Sequence, residues 1–176
     1  MKNYIFTLVI ICIYLTNCTS KKEKTKEKTK ENNSSYEVVD EISFDETKDD
    51  PNFKVCNNYI FQYFNNSDGL VYEGEKPMLD KLFFDKYNSE IVEKQSGLIR
   101  IRFIVNCKAE TGRFRLLGMD NNYQEKVFDE NITSQLLNIT KDLRGWGVQT
   151  YKDMNIDYYQ YIIFVIENGK ITKILP

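Results

Sequence analysis

Gly97 opens the stretch that most restricts how this chain can fold. Ile99, Ile101, Phe103 and Val105 alternate with Arg100 and Arg102, so a strand here carries an apolar face and an arginine face. After a turn containing Gly112, Phe114 and Leu116 alternate with Arg113 and Arg115, which reads as the returning arm of a hairpin. Such a hairpin has to bury its apolar face against something, and the flanking sequence supplies helices. Upstream, Tyr72-Glu73-Gly74 marks a turn and Pro77 suits the first turn of a helix. Met78, Leu79, Leu82, Phe83 and Tyr87 then follow at helical spacing. Downstream, Asp129 is placed to cap a helix whose stripe is Ile132, Leu136, Ile139 and Leu143, and Gly145 is placed to end it. Trp146 behind that helix is expected to be a core anchor. Tyr158 to Ile166 reads as a long strand, covered on one face and aromatic on the other. Asn168-Gly169 is the preferred two-residue type I′ turn, and Lys170 to Leu175 returns. The order predicts an α+β domain, a small antiparallel sheet with two helices packed on one face. It is expected to occupy residues 52–176. Within it, Val55 to Phe64 has no clean period and suits a strand or a short helix; Asn65 to Gly69 is a loop by its turn chemistry.

The front of the chain has a different character. Lys2 precedes an apolar run from Tyr4 to Leu15, too short to cross a bilayer and without a stop-transfer flank. The run closes on Leu15-Thr16-Asn17-Cys18, which resembles the lipobox of bacterial lipoproteins. The resemblance implies that residues 1–17 are a signal peptide cleaved before Cys18. It also implies a diacylglyceryl thioether on Cys18 and an acyl chain such as palmitate on the new amine. An ordinary secretory signal with an incidental Cys18, or an uncleaved anchor, are the alternatives. A lipid anchor ties the protein to a membrane outside the cytoplasm. Thr19, rather than Asp, after the lipid cysteine favours the outer membrane facing the periplasm. Residues 18–51 are expected to be a tether. Its Lys/Glu/Thr tract, TSKKEKTKEKTKE, buries too little to offset chain entropy and is expected to be disordered. Its lysines serve solubility or attraction to anionic headgroups. Glu37 to Asp50 turns acidic around Val38, Val39, Ile42 and Phe44, which leaves docking on the domain as a strand open.

Composition narrows the chemistry. A formal charge of -2 over 176 residues gives no electrostatic footprint for nucleic acid. Histidine is absent, which removes Ser-His-Asp and Cys-His catalysis and every His-containing metal site. No G-x-S-x-G, phosphate loop or CxxC occurs, and no cofactor is expected. Of four cysteines, Cys12 and Cys18 belong to the export segment, which leaves Cys56 and Cys107. An oxidising envelope allows a bridge between them; two separate small buried residues are the alternative.

Taken in order, several pieces resemble the C-terminal domain of TonB-type energy transducers. These are Tyr72-Glu73-Gly74-Glu75-Lys76-Pro77, Gly97 to Asn106, Gly112, Leu136 to Leu143, Gly145-Trp146 and Tyr161-Ile162-Ile163-Phe164. The resemblance runs from about Leu70 to the C-terminus and implies that fold. Departures limit it. There is no histidine, only 3 prolines occur and none lies in the Lys/Glu tract, and Tyr87-Asn88 stands where the family has Tyr-Pro. Energy transduction by this chain alone is therefore not implied.

What the resemblance does imply is a non-catalytic module that takes an extended segment of an envelope or outer-membrane protein onto a sheet edge. The expected contact residues are Lys170, Ile171, Thr172, Lys173 and Ile174, with Tyr159 and Tyr161 on the neighbouring strand. Packing is the alternative role for the tyrosines. Arg100, Arg102, Arg113 and Arg115 form a basic stripe, either a solvated sheet face or a surface for an acidic peptide or headgroups. A competing function is an envelope hydrolase using the loop carboxylates Asp120, Asp129, Glu130, Asp153 and Asp157. A constitutive structural lipoprotein is a third, and the sequence sets no oligomeric state.

Overall fold

The computed structural model describes residues 41–62 and 70–176. The expected signal segment, Cys18, the Lys/Glu tract and the loop Asn65 to Gly69 lie outside the described residues.

The elements are β1 (Ile60–Phe61), α1 (Glu75–Lys86), β2 (Gly97–Val105), β3 (Thr111–Met119), α2 (Glu130–Asp142), β4 (Gln149–Tyr151), β5 (Met154–Glu167) and β6 (Lys170–Leu175), with a 3₁₀ turn at Ser89–Ile91. They build an α+β fold with a six-stranded sheet in the order β1-β5-β2-β3; β4 and β6 also pair with β5. β2 and β3 form the antiparallel hairpin their alternation calls for, with Ile101 opposite Leu116 and Arg102 opposite Arg115. β5 lies antiparallel to β2 from Tyr158 to Ile166. The sheet is mixed rather than purely antiparallel, because β1 runs parallel to β5, Ile60 beside Asp157 and Phe61 beside Tyr158. The reason is local: the disulfide and Asp157 hold Cys56 and Asn57 at the start of β5, so the chain leaves in the direction of β5.

One sheet face carries the main core. Ile99, Ile101, Phe103 and Val105 from β2 and Tyr158, Ile162, Phe164 and Ile166 from β5 pack under the helices. The helices contribute Leu79 and Phe83 from α1, and Ile132, Leu136 and Ile139 from α2. Leu143 and Trp146 complete that layer. Met78, expected on the apolar face of α1, is exposed. Asp129 stands at the N-cap position of α2, but its side chain makes no capping bond there. Its backbone carbonyl accepts from Ile132 and Thr133 instead. α2 ends at Asp142 with Leu143 as its cap, before Gly145, whose carbonyl accepts the N–H of Glu73. Gly147 N–H reaches Val71, so Tyr72 and Trp146 face each other across a short antiparallel bridge.

Both tight hairpins close through two left-handed residues. Asn168 and Gly169 take the left-handed region that a type I′ turn needs. A Cβ on Gly169 would sit 2.7 Å from the Glu93 carbonyl, so the turn could not tuck there with any other residue. β4 and β5 are joined by Lys152 and Asp153, also both left-handed. That hairpin carries no Asn-Gly signal, so the sequence does not announce it. Gly112, expected in the turn, lies inside β3; the turn is formed by residues 106–110. Asn106 organises it by accepting the N–H groups of Lys108 and Glu110. Gly112 serves a steric purpose: a Cβ there would fall 2.3 Å from the Phe53 ring.

The second sheet face is covered by the chain's own N-terminal segment. Ile42 packs with Ile104 and Tyr159, supported by Phe53, Val55 and Ile60. The expected tether therefore ends earlier than residue 51, since residues 41–51 are already part of the folded body. They dock without forming a strand: Asp45 to Asp49 make one hydrogen-bonded turn, with Asp49 N–H reaching the Asp45 carbonyl.

Candidate functional site

Two surfaces of this sheet carry the residues singled out in the sequence: the free edge at β6 and the arginine face under residues 41–50.

At the edge, β6 pairs only with β5 among the described residues. Lys170, Thr172 and Lys173 are exposed, whereas Ile171 and Ile174 point into the core. Glu167 and Lys170 flank the two-residue turn and form its closing pair. Alternation along an antiparallel strand then aims the N–H of Ile171 away from β5. The turn is pinned from behind: Tyr87 Oη donates to the Gly169 carbonyl at 2.8 Å, and Gly169 N–H reaches Gln95. Burial pushes the Tyr87 phenol up to about 12, so it remains a neutral donor through the physiological range. Tyr159 is covered by the chain's own residue Ile42 rather than open beside the β6 edge. It is 2% exposed, accepts the Ile42 N–H on its hydroxyl, and lies under the Arg102 guanidinium at 4.0 Å. Burial raises its pKa. Tyr161 is half-buried and sits opposite Arg102.

β3 offers a second open edge, which the sequence did not announce. It pairs only with β2 among the described residues, and its far end is closed by Lys126 N–H on the Gly118 carbonyl. A groove of about 470 Å³ runs beside it, lined by Leu116, Leu117, Val127, Phe128 and Leu137. Val127 at its rim is 90% exposed.

On the other face the arginines meet acids of the same chain. Arg115 makes a two-pronged ion pair with Asp49, Nη1 to Oδ1 at 2.7 Å and Nη2 to Oδ2 at 2.8 Å. It also donates to the Ser43 carbonyl, and Arg113 donates to that of Ile42. Arg102 reaches Gln62 as well as the Tyr159 ring. The like charges of Arg102 and Arg115, directly opposite on adjacent strands, are thereby offset. The stripe is neither a bare solvated face nor fully covered: a cleft of about 670 Å³ remains between residues 41–47 and Arg100, Arg102 and Arg115.

The Arg115 hydrogen bonds hold the Asp49 carboxyl below its ordinary value of 3.8. A depressed carboxyl contributes stability that is fully present above the unfolded pKa and lost as pH falls through the lower folded one. The stability difference between wild type and Asp49→Asn should therefore be constant at neutral pH and shrink below about 3.8. Urea melts of both proteins across that range check it; a difference that shrinks near neutrality would contradict it.

The loop carboxylates do not converge in a shared catalytic arrangement. Asp120 accepts the N–H groups of Asn122 and Gln124 in its own turn, and Asp153 sits in the β4–β5 turn. Asp157 is not in a loop; it belongs to β5 and is 0% exposed. One oxygen accepts Cys56 and Asn57 N–H at 2.8 and 2.7 Å, the other Cys107 N–H at 2.8 Å. Cys56 and Cys107 are joined in a disulfide, so Asp157 braces both ends of that bridge. Only its position beside a strand that had to meet residue 56 could have revealed this. Asp157→Ala should cost about 2–3 kcal/mol, because the stranded amides lose a charged acceptor, although those near solvent rehydrate. Equilibrium denaturation under oxidising conditions measures it. Asp157→Asn should recover part of the loss through its carbonyl oxygen.

Comparison with family models, curated proteins and solved structures returns no match to this chain. Among the described residues no helix is long and apolar enough to cross a membrane.

Proposed function

We propose that this protein is a lipid-anchored, non-catalytic lipoprotein of the cell envelope, held by Cys18 at the outer membrane and facing the periplasm. Its domain, similar to the C-terminal domain of TonB-type transducers, captures an extended segment of an envelope protein by strand addition. The observation that carries this reading is the unpaired edge of β6, backed by a turn fixed from behind by Tyr87 and Gln95. Main-chain groups supply affinity at such an edge, and the exposed Lys170, Thr172 and Lys173 supply selectivity. The commitment of Asp120 and Asp157 to backbone amides favours binding over hydrolysis. The β3 edge is a second location for the same activity, favoured by its apolar groove and the exposed Val127.

The test removes a donor without removing a side chain. Ile171 is buried, so proline there would disturb the core as well as the edge. Semisynthesis of the last residues with N-methyl-isoleucine at position 171 keeps the packing and deletes the N–H. Capture of partners from the protein's own envelope, followed by crosslinking at Lys173, should then fall sharply while the melting temperature stays close to wild type. Capture unchanged by N-methylation but abolished by Val127→Asp would move the site to β3; capture unaffected by either sinks strand addition. Loss of lipid labelling and accumulation of precursor in Cys18→Ala tests the anchor.

A further inference from the structure

We propose that the arginine face of the sheet is a docking surface for an acidic peptide bearing an aliphatic residue, and that residues 41–50 occupy it in cis as a displaceable strap. The inference does not depend on strand addition at β6, which uses the opposite character of surface, an edge rather than a face.

The strap itself displays what the surface selects. Ile42 fills the apolar seat made by Ile104 and Tyr159. Asp49 takes both prongs of Arg115, and the carbonyls of Ile42 and Ser43 take further arginine N–H groups. One aliphatic anchor, one carboxylate further along the chain and an intervening accepting backbone define the ligand class. The strap also carries Glu41 and Glu46, of the sign that complements the basic face, while Asp45 is paired with Lys48 of the strap itself.

Its attachment is of a kind that can exchange. No residue of 41–50 joins the sheet ladder, and the bonds it makes to the sheet run through side chains: Tyr159, Arg113 and Arg115. Ile42 and Asp49 are buried, while Glu41, Ser43, Phe44, Glu46, Thr47, Lys48 and Asp50 are exposed. Beneath it the cleft of about 670 Å³ leaves the surface incompletely filled. Segments with few buried contacts open at low cost. The disulfide sets a limit to opening, since Cys56 is bonded to Cys107 at the β2–β3 turn. Release of the strap frees residues 41–50, about 35 Å of extended chain, and leaves Phe53 on Gly112 and the Lys54 carbonyl on Asn106.

The probe is a fluorescent peptide with the sequence of residues 40–51, DEISFDETKDDP, titrated into the full-length oxidised chain. Asp49→Asn weakens the strap in cis and should bind the peptide about tenfold more tightly than wild type does. That binding should fall about tenfold when the peptide carries Asn in place of Asp49, fall likewise in Asp49→Asn combined with Arg115→Gln, and weaken as salt is raised. Hydrogen exchange at Ile42, whose N–H is held by the Tyr159 hydroxyl, reports whether the strap is open, with the β2 amides as the control for folding. Ile42→Asp, which places a charge in the apolar seat, is the second means of opening it. A strap that remains protected in both variants overturns the proposal. So does an open strap with no saturable peptide binding, or binding indifferent to Arg115. Binding of the opened protein to phosphatidylglycerol vesicles without binding of the peptide overturns it in favour of a membrane surface.

Discussion

Trp146→Ala is expected to cost about 3–5 kcal/mol, a larger loss than the Asp157 truncation brings. Trp146 is 5% exposed and stands where three elements meet. Its ring lies edge-on to Tyr72 at 4.9 Å and to Phe103 at 5.2 Å. The bridge between Tyr72 and Trp146 ties the chain entering α1 to the chain leaving α2. Removing the indole leaves a cavity between Tyr72 and Phe103 that neighbouring rings cannot close, because Phe103 is fixed in β2. The indole Nε1 is buried without a hydrogen-bond partner among the described residues. Trp146→Phe therefore removes an unsatisfied donor along with the lost area and should cost well under half as much. Denaturation midpoints of the two variants, at unchanged m-value, give the comparison. Since Trp146 is the only tryptophan, native emission should be blue-shifted and poorly quenched by iodide. Red-shifted, freely quenched emission would refute the burial.

Reduction of the Cys56–Cys107 bridge is expected to cost about 4 kcal/mol, the chain-entropy figure for a loop of 51 residues. The effect lies mainly in the unfolded chain, so the reduced protein should keep its fold and unfold at lower denaturant. Asp157 gives a reason for that: it holds the amides of Cys56 and Cys107 whether or not the sulfurs are joined. The two devices should be coupled. Asp157→Ala in the reduced protein should cost more than in the oxidised one, where the bridge still confines the same amides. Thiol titration of the denatured, unreduced protein should find neither Cys56 nor Cys107 free. Equal stability with and without reductant would show that the bridge contributes nothing.

The elements are legible where their signal is local. Ile99, Ile101, Phe103 and Val105 face one way because alternate side chains of a strand must, and all four are buried against the helices. Asn168-Gly169 makes its type I′ turn from its own backbone preferences. Of the expected stripe, Ile132, Leu136 and Ile139 lie on the buried face of α2, while Leu143 reaches the same core from just past its end. Where the sequence misleads, a distant partner intervenes. Tyr159 reads as a contact for a partner chain and is instead covered by Ile42, 117 residues away in sequence. Asp157 reads as a loop acid because nothing nearby marks the amides of residues 56 and 57 as its partners. Gly112 reads as a turn residue because the Phe53 ring that requires its bare Cα belongs to another segment. The hairpin at Lys152-Asp153 has a weak local signature because Asp153 tolerates the left-handed region but Lys152 does not favour it, and the pairing of β4 with β5 imposes it.

By itself, then, the sequence determined the alternation of β2 and β3, the stripe of α2, the Asn168-Gly169 hairpin and the composition of the arginine face. These follow from the geometry of a few consecutive residues. Only the tertiary structure decided that β1 runs parallel to β5, that Asp157 braces the disulfide, and that the arginine face is occupied by Ile42 and Asp49. Those choices depend on which surfaces meet once the β2–β5 pairing brings the middle of the chain against its end. A charge pair or an apolar seat formed between residues dozens of positions apart leaves no pattern in the sequence around either of them.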